Sequence, residues 1–183
     1  MTLLRRTMLG ATLALPAFAA RAQAPDPENT LLMELRHGTV TIQLLPDLAP
    51  RHVERIRTLV RRGFYDGTPF HRVIEGFMAQ GGDPTGRGTG GSDLPDLPAE
   101  FVPASRARFL RGTCGMARAQ SPNSANSQFF IMFAPAPSLD AQYTIWGRVV
   151  SGMEAVDRIK RGDAARNGMV VDPDRLIRAR MAA

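Results

Sequence analysis

Cysteine is almost missing from this chain. Cys114 is the only one in 183 residues, which excludes an intrachain disulfide and any zinc site built on several thiolates. Three histidines leave little material for other metal centres. Lysine is equally scarce, since only Lys160 of the 23 basic residues is one. No apolar run approaches the roughly 20 residues of a membrane-spanning helix. There is no G-K-[ST] phosphate loop and no G-x-S-x-G nucleophile elbow. What is present is the balance of an ordinary globular protein, 44% apolar and 22% charged, at a length that suits one domain. The formal net charge of +6 raises the question of nucleic acid.

Much of that charge sits in the first residues. Residues 1–24 hold three arginines and no acid. Arg5 and Arg6 precede an apolar run from Met8 to Ala20, the basic-then-apolar order of a secretory signal. Ala20-Arg21-Ala22 and Ala22-Gln23-Ala24 both offer a cleavage pattern. A signal peptide over 1–22 is expected, cut after Ala22 or Ala24, with Ala22 preferred because the later cut leaves Pro25 at the new terminus. The paired arginines suit the twin-arginine route and also the general secretory route, and an uncleaved anchor is the alternative. The expected location is the periplasm. Without those residues the basic excess falls from +6 to +3. The remaining arginines are scattered among acids, a pattern of solvated surface that argues against a nucleic-acid partner.

The rest reads as strands with two helices. Leu31 to Arg36 and Thr39 to Leu45 form a hairpin around His37-Gly38, where glycine supplies a positive φ. Pro50 opens a helix in which Val53, Ile56, Leu59 and Val60 face a core, with Gly63 past its end and arginine and glutamate toward solvent. Strand-like runs follow at 68–74, 77–80, 113–117, 128–133 and 145–150, then a helix from Met153 to Arg161 and a closing strand at Leu176 to Met181. A single mainly β domain, a closed antiparallel barrel capped by two α-helices, is the expected fold.

Gly86, Gly88 and Gly91 satisfy G-x-G-x-x-G, but the Pro-rich segment 92–98 cannot supply the helix that a dinucleotide loop needs. The stretch reads instead as an open surface loop whose glycines allow a close backbone approach. Cys114 lies in an apolar strand pattern and reads as an inert buried thiol. The unusual feature is Phe70-His71-Arg72-Val73-Ile74 followed by Gly76-Phe77-Met78-Ala79-Gln80-Gly81-Gly82-Asp83. If these are strands, Phe70, Arg72 and Ile74 share one face, and an arginine on an apolar face is either a snorkelling edge residue or a charge held beside a pocket.

Together with Gly115-Met116-Ala117-Arg118-Ala119, Pro122-Asn123-Ser124, Ser127-Gln128-Phe129-Phe130-Ile131, Gly147-Arg148-Val149 and Gly152-Met153, these motifs closely resemble the cyclophilin-type peptidyl-prolyl cis-trans isomerases, in that family's order, over a domain at 30–181. The A-R-x-x-x-P-N-S pattern looks like the bacterial branch. The resemblance implies an eight-stranded barrel with two helices and isomerisation of X-Pro bonds with no cofactor and no metal. It implies proline-containing polypeptides as partners, here unfolded or newly exported proteins; a monomer without stable membrane insertion is expected. It assigns catalysis to Arg72 and Gln80, with His71 as a further polar lining residue. Phe77, Met78, Phe130 and Leu139 would form the cup for the proline ring, and Ala117 and Gln128 the groove beside it. Arg118 would hold the substrate chain through its backbone, and Tyr143 stands where a histidine is common. Ser138 stands where a tryptophan often lies, which implies weak binding of cyclosporin-like inhibitors. The alternative function is a binding module or chaperone that keeps the groove without turnover.

Overall fold

The computed structural model describes residues 26–183, so the expected signal and its cleavage point lie outside the described residues. The chain enters through β1 (Thr30–Leu35) and β2 (Gly38–Leu44). They pair antiparallel around Gly38, whose φ is 139°. Leu31, Met33, Val40, Ile42 and Leu44 are buried on one face, as period-two alternation requires.

Helix α1 (Pro50–Arg61) buries Val53, Ile56, Leu59 and Val60. Its N-terminus has no cap from Ala49; the Glu100 carboxylate takes that role, accepting from the amides of Arg51 (3.1 Å) and His52 (3.0 Å) and from His52 Nδ1 (2.6 Å). The polar face is less solvent-directed than expected. Arg55 is buried because its guanidinium donates to the carbonyls of Pro95 (2.6 Å) and Asn126 (3.2 Å), tying the helix to two loops.

The remaining strands are β3 (Arg72–Ile74), β4 (Met78–Gly81), β5 (Thr113–Met116), β6 (Phe129–Met132), β7 (Ile145–Ser151) and β8 (Leu176–Met181). All eight form one antiparallel sheet in the order β3-β4-β6-β5-β7-β2-β1-β8. Helix α2 (Met153–Asp157) is shorter than expected. Ile159 still packs inward, but the Lys160 amide has turned to the Asp174 carboxylate at 2.8 Å.

The sheet curls into a half-barrel, and the expected closure is not found. Its outer strands, β3 and β8, do not pair with each other. The outer edge of β3 is already occupied: the Val73 amide donates to Gly168 O (2.8 Å), and His71 O accepts from the Val170 amide (3.0 Å). A strand whose edge bonds are taken by a loop cannot also close a ladder. The segment ahead of β3 meets the start of β8 instead: the Leu176 amide donates to Thr68 O (2.9 Å), the Gly67 amide to Leu176 O (2.7 Å) and the Phe70 amide to Asp174 O (2.9 Å), around an isolated bridge between Pro69 and Arg175.

Two sets of rows cross β3, β4, β6 and β5. Val73, Ala79, Ile131 and Cys114 stand in register and all are fully buried in the main core. Beside them Phe129 is ringed edge-on by Tyr65, Phe70 and Trp146 at centroid distances of 5.6, 6.2 and 6.0 Å. The neighbouring row consists of Arg72, Gln80, Phe130 and Gly115 and turns to the opposite face.

Candidate active site

That second row forms the floor of a cavity of about 190 Å³ lined by Arg72, Phe77, Met78, Gln80, Ala117, Arg118, Phe130, Leu139 and Tyr143. Sites for whole drug-sized molecules run to about 300–1,000 Å³, so this cup suits a single side chain of a larger ligand. Nine of the residues nominated from the sequence meet here. Gln128 lines an adjoining space of about 560 Å³ that shares Gln80, Ala117 and Arg118 with the cup, making one continuous groove.

Arg72 is held by neutral partners only. Its Nη1 donates to Gln80 Oε1 (3.2 Å), its Nε to the Asn167 carbonyl (3.0 Å) and its Nη2 to Asn167 Oδ1 (3.1 Å). A guanidinium has five N–H donors, so donors remain for a ligand. Because no carboxylate pairs with it among the described residues, its charge is oriented without being neutralised. Burial draws its pKa below the ordinary arginine value, partly offset by Tyr143, and a guanidinium stays protonated at neutral pH regardless. The relay continues from Gln80 Nε2 to Gln128 Oε1 (2.9 Å) and from Gln128 Nε2 to Gly90 O (2.9 Å), which fixes the orientation of both amides.

The apolar wall is equally fixed. Phe130 stacks on Phe109 (5.6 Å, 27°) and meets Tyr143 edge-on (5.8 Å). A Cβ at Gly115 would strike both phenyl rings, so the bare backbone of β5 is what lets Phe130 lie flat. The Arg118 side chain is itself held in place: its guanidinium lies over Tyr143 at 4.6 Å and donates to the carbonyls of Ala119, Gln120 and Gln142.

Two expectations change and a third gains detail. His71 lines neither space. It is buried, its ring nitrogens make no well-aligned hydrogen bond among the described residues although Pro69 and Gln128 lie close, and burial holds its pKa below the usual histidine value against the opposing pull of Asp83. Phe70 does not share a face with Arg72, because it precedes β3 and turns into the main core. The glycine-rich stretch is an exposed loop, as expected, and one buried side chain organises its backbone. It wraps the fully buried Asp83 carboxylate, which accepts from the amides of Thr85 (2.8 Å), Arg87 (3.1 Å), Gly88 (2.6 Å) and Gly90 (3.2 Å) and from the Thr85 hydroxyl. Burial alone would raise the pKa of this carboxyl, but the amides of Thr85 and Gly90 outweigh it and hold it low. What the glycines approach closely is this side chain, and a Cβ on Gly90 would clash with it.

Asn167, Phe109 and Gly115 were not nominated. Asn167 has one signal: it takes a left-handed conformation (φ 55°) just before Gly168, which asparagine tolerates better than most residues. Cys114 is fully buried with its pKa raised by desolvation, as an inert thiol requires. Among the described residues no three His, Cys, Asp or Glu side chains converge to hold a metal ion.

A curled antiparallel sheet with an oriented arginine beside an apolar cup is the architecture of one class of isomerase, and comparison with known proteins agrees. Residues 30–181 match the family described as cyclophilin type peptidyl-prolyl cis-trans isomerase/CLD. A Brucella suis protein named a probable peptidyl-prolyl cis-trans isomerase is 56% identical over 173 residues, covering 88% of this chain and 87% of that protein. Among solved structures, a cyclophilin of Hirschia baltica superposes with a TM-score of 0.77 at 28% identity, over 92% of this chain and 81% of that one. A Cryptosporidium parvum cyclophilin type isomerase, solved in the presence of the dipeptide Ala-Pro, gives a TM-score of 0.75 at 28% identity, over 83% and 98% of the two chains. The chain belongs to the cyclophilin-type peptidyl-prolyl cis-trans isomerase family.

Proposed function

We propose that the Arg72 row turns X-Pro bonds in exported polypeptides and that the protein works in the periplasm. Amide resonance sets a barrier of about 18–20 kcal/mol, and X-Pro exchange takes tens of seconds or longer. In the twisted transition state that resonance is lost and the proline nitrogen becomes a hydrogen-bond acceptor. The observation that carries the reading is the guanidinium of Arg72, oriented by Gln80 and Asn167 yet free of any carboxylate. It donates to that nitrogen more strongly in the twisted state than in the planar one, and only such differential binding raises the rate. Phe77, Met78, Phe130 and Leu139 hold the ring still while Gln80 meets the turning carbonyl. Each ~1.4 kcal/mol of preferential stabilisation gives tenfold in rate. No covalent intermediate is needed.

The test is proline-limited peptide exchange. Arg72→Ala lowers kcat/KM by about 10²–10³, the loss typical of one preorganised donor. Arg72→Lys recovers little, because an ammonium cannot make the forked contacts to Gln80 and Asn167. Wild-type turnover in Arg72→Ala would remove the mechanism, and binding of Ala-Pro without any turnover by the wild type would leave a binding module. The periplasmic reading rests on the basic and apolar order of residues 1–22. Cell fractionation with N-terminal sequencing tests it, and a cytoplasmic protein that keeps its first residues would refute it.

A further inference from the structure

A second and larger groove lies away from the Arg72 cup. Its volume is about 820 Å³ and no residue lines both spaces. Its apolar part includes Leu45, Leu48 and Leu110, and its polar part includes Arg106, Arg108 and Arg148. Leu110 is 53% exposed although its chain neighbour Phe109 is buried, so the backbone here directs one large apolar side chain into the core and the next out into the groove. None of the three arginines is in an ion pair among the described residues. Arg106 donates to the carbonyl of Asp47 (2.7 Å) and Arg108 to that of Ala104 (3.1 Å), which aims their guanidinium groups without cancelling their charge. By contrast, Arg111, which also lines the groove, is paired with Asp157 at 2.6 Å.

We propose that this groove is a docking site for an acidic, leucine-bearing extended segment of a partner polypeptide. Oriented but uncompensated cations beside exposed leucine call for alternating carboxylate and apolar groups. The chain's own first residues do not supply them, since residues 1–25 carry arginine and no acid. Nucleic acid fits less well, because the groove offers no aromatic ring on which a base could stack.

The probe is a fluorescein-labelled, proline-free octapeptide alternating aspartate or glutamate with leucine, titrated into the full chain and followed by anisotropy and amide chemical-shift mapping. Saturable binding is expected, with shifts around Leu110 and Arg148. It weakens with added salt and falls about tenfold or more when Arg106→Glu, Arg108→Glu and Arg148→Glu are combined. That variant keeps wild-type isomerase turnover, which also reports that it is folded. A probe in which lysine replaces the acids does not bind. The proposal is overturned by absence of binding, by equal binding of the lysine probe, by displacement with Ala-Pro, or by tighter binding of oligo(dT) than of the peptide. Concentration-dependent self-association lost in the same variant would assign the groove to a second copy and overturn it too.

Discussion

Gly115→Ala tests whether the cup depends on the packing beneath it. The added methyl would stand nearest to Phe130 Cζ, with Phe109 Cε1 and Phe130 Cε2 each at 2.7 Å, whereas carbon atoms rest at about 3.5–4.0 Å. Phe109 must therefore retreat by about 1 Å and Phe130 by more. Overpacking of this kind costs ~1–3 kcal/mol, and each kcal/mol lowers Tm by about 2–4 °C in a domain of this size. The functional effect is separable from the stability effect. In the proposed mechanism Phe130 would touch the proline ring in the planar and twisted states alike, so its displacement should weaken binding of both and raise KM more than it lowers kcat. A loss of about tenfold or more in kcat/KM is expected, given that misplacements near 1 Å cost up to about 10²-fold. Cys114→Ala is the control: it stands in the adjacent row that faces the core, so it lowers Tm and leaves KM unchanged. Phe109→Leu added to Gly115→Ala makes room for the methyl and recovers part of the lost affinity. An unaltered KM in Gly115→Ala at temperatures where it is folded would refute the argument.

Glu100 caps α1 from outside the groove, so Glu100→Ala costs ~2–3 kcal/mol of stability, from one lost cap and one charge-assisted bond to a buried histidine, with kcat/KM unchanged; Glu100→Gln costs less, and urea denaturation reads both. His52 and His71 are buried with pKa values held below the ordinary 6.5, chiefly by desolvation. The unfolded chain therefore binds protons that the folded one does not, and their contribution is full above about pH 6.5 and lost as pH falls below it. The urea midpoint should drop between about pH 7.5 and about pH 5.5, above the range where most carboxylates titrate, and should drop less in His71→Leu; a midpoint that rises on acidification would contradict this. Cyclosporin should inhibit weakly because Ser138 offers neither an indole donor nor a large apolar wall, and Ser138→Trp should tighten it; nanomolar inhibition of the wild type, measured by titration of turnover, would show the reasoning wrong.

The parts of the fold that were legible are those written in side-chain periodicity. Val40, Ile42 and Leu44 alternate with polar residues, and the helix positions Val53, Ile56, Leu59 and Val60 recur at helical spacing, and each set is buried as its pattern requires. What was not legible depends on backbone groups, which every residue carries and no composition distinguishes. The open edge of the sheet is decided by the amides and carbonyls of 168–170 meeting β3. The glycine-rich stretch is decided by amides converging on Asp83. The burial of His71 depends on a residue just ahead of a strand, where alternation gives no guidance.

The backbone bonds that occupy the outer edge of β3 also position Arg72. β3 is an edge strand of three residues, too short to hold a long charged side chain by its own pairing. Filling its outer edge with the segment around Gly168 sets Asn167 directly against Arg72, on the opposite side from Gln80. Closure by β8 would instead have put a strand beside β3 at the position of that asparagine. Two neutral amide side chains and one carbonyl orient the guanidinium without discharging it, and a carboxylate in either place would have held it as firmly while reducing the field available to a twisted proline nitrogen. Asn167→Asp is the substitution that separates these two demands. It preserves the acceptor oxygen and the left-handed backbone, adds the missing negative charge, and should lower kcat with little change in KM or Tm. Retention of full kcat in that variant would mean that orientation alone, and not an uncompensated charge, is what the site requires.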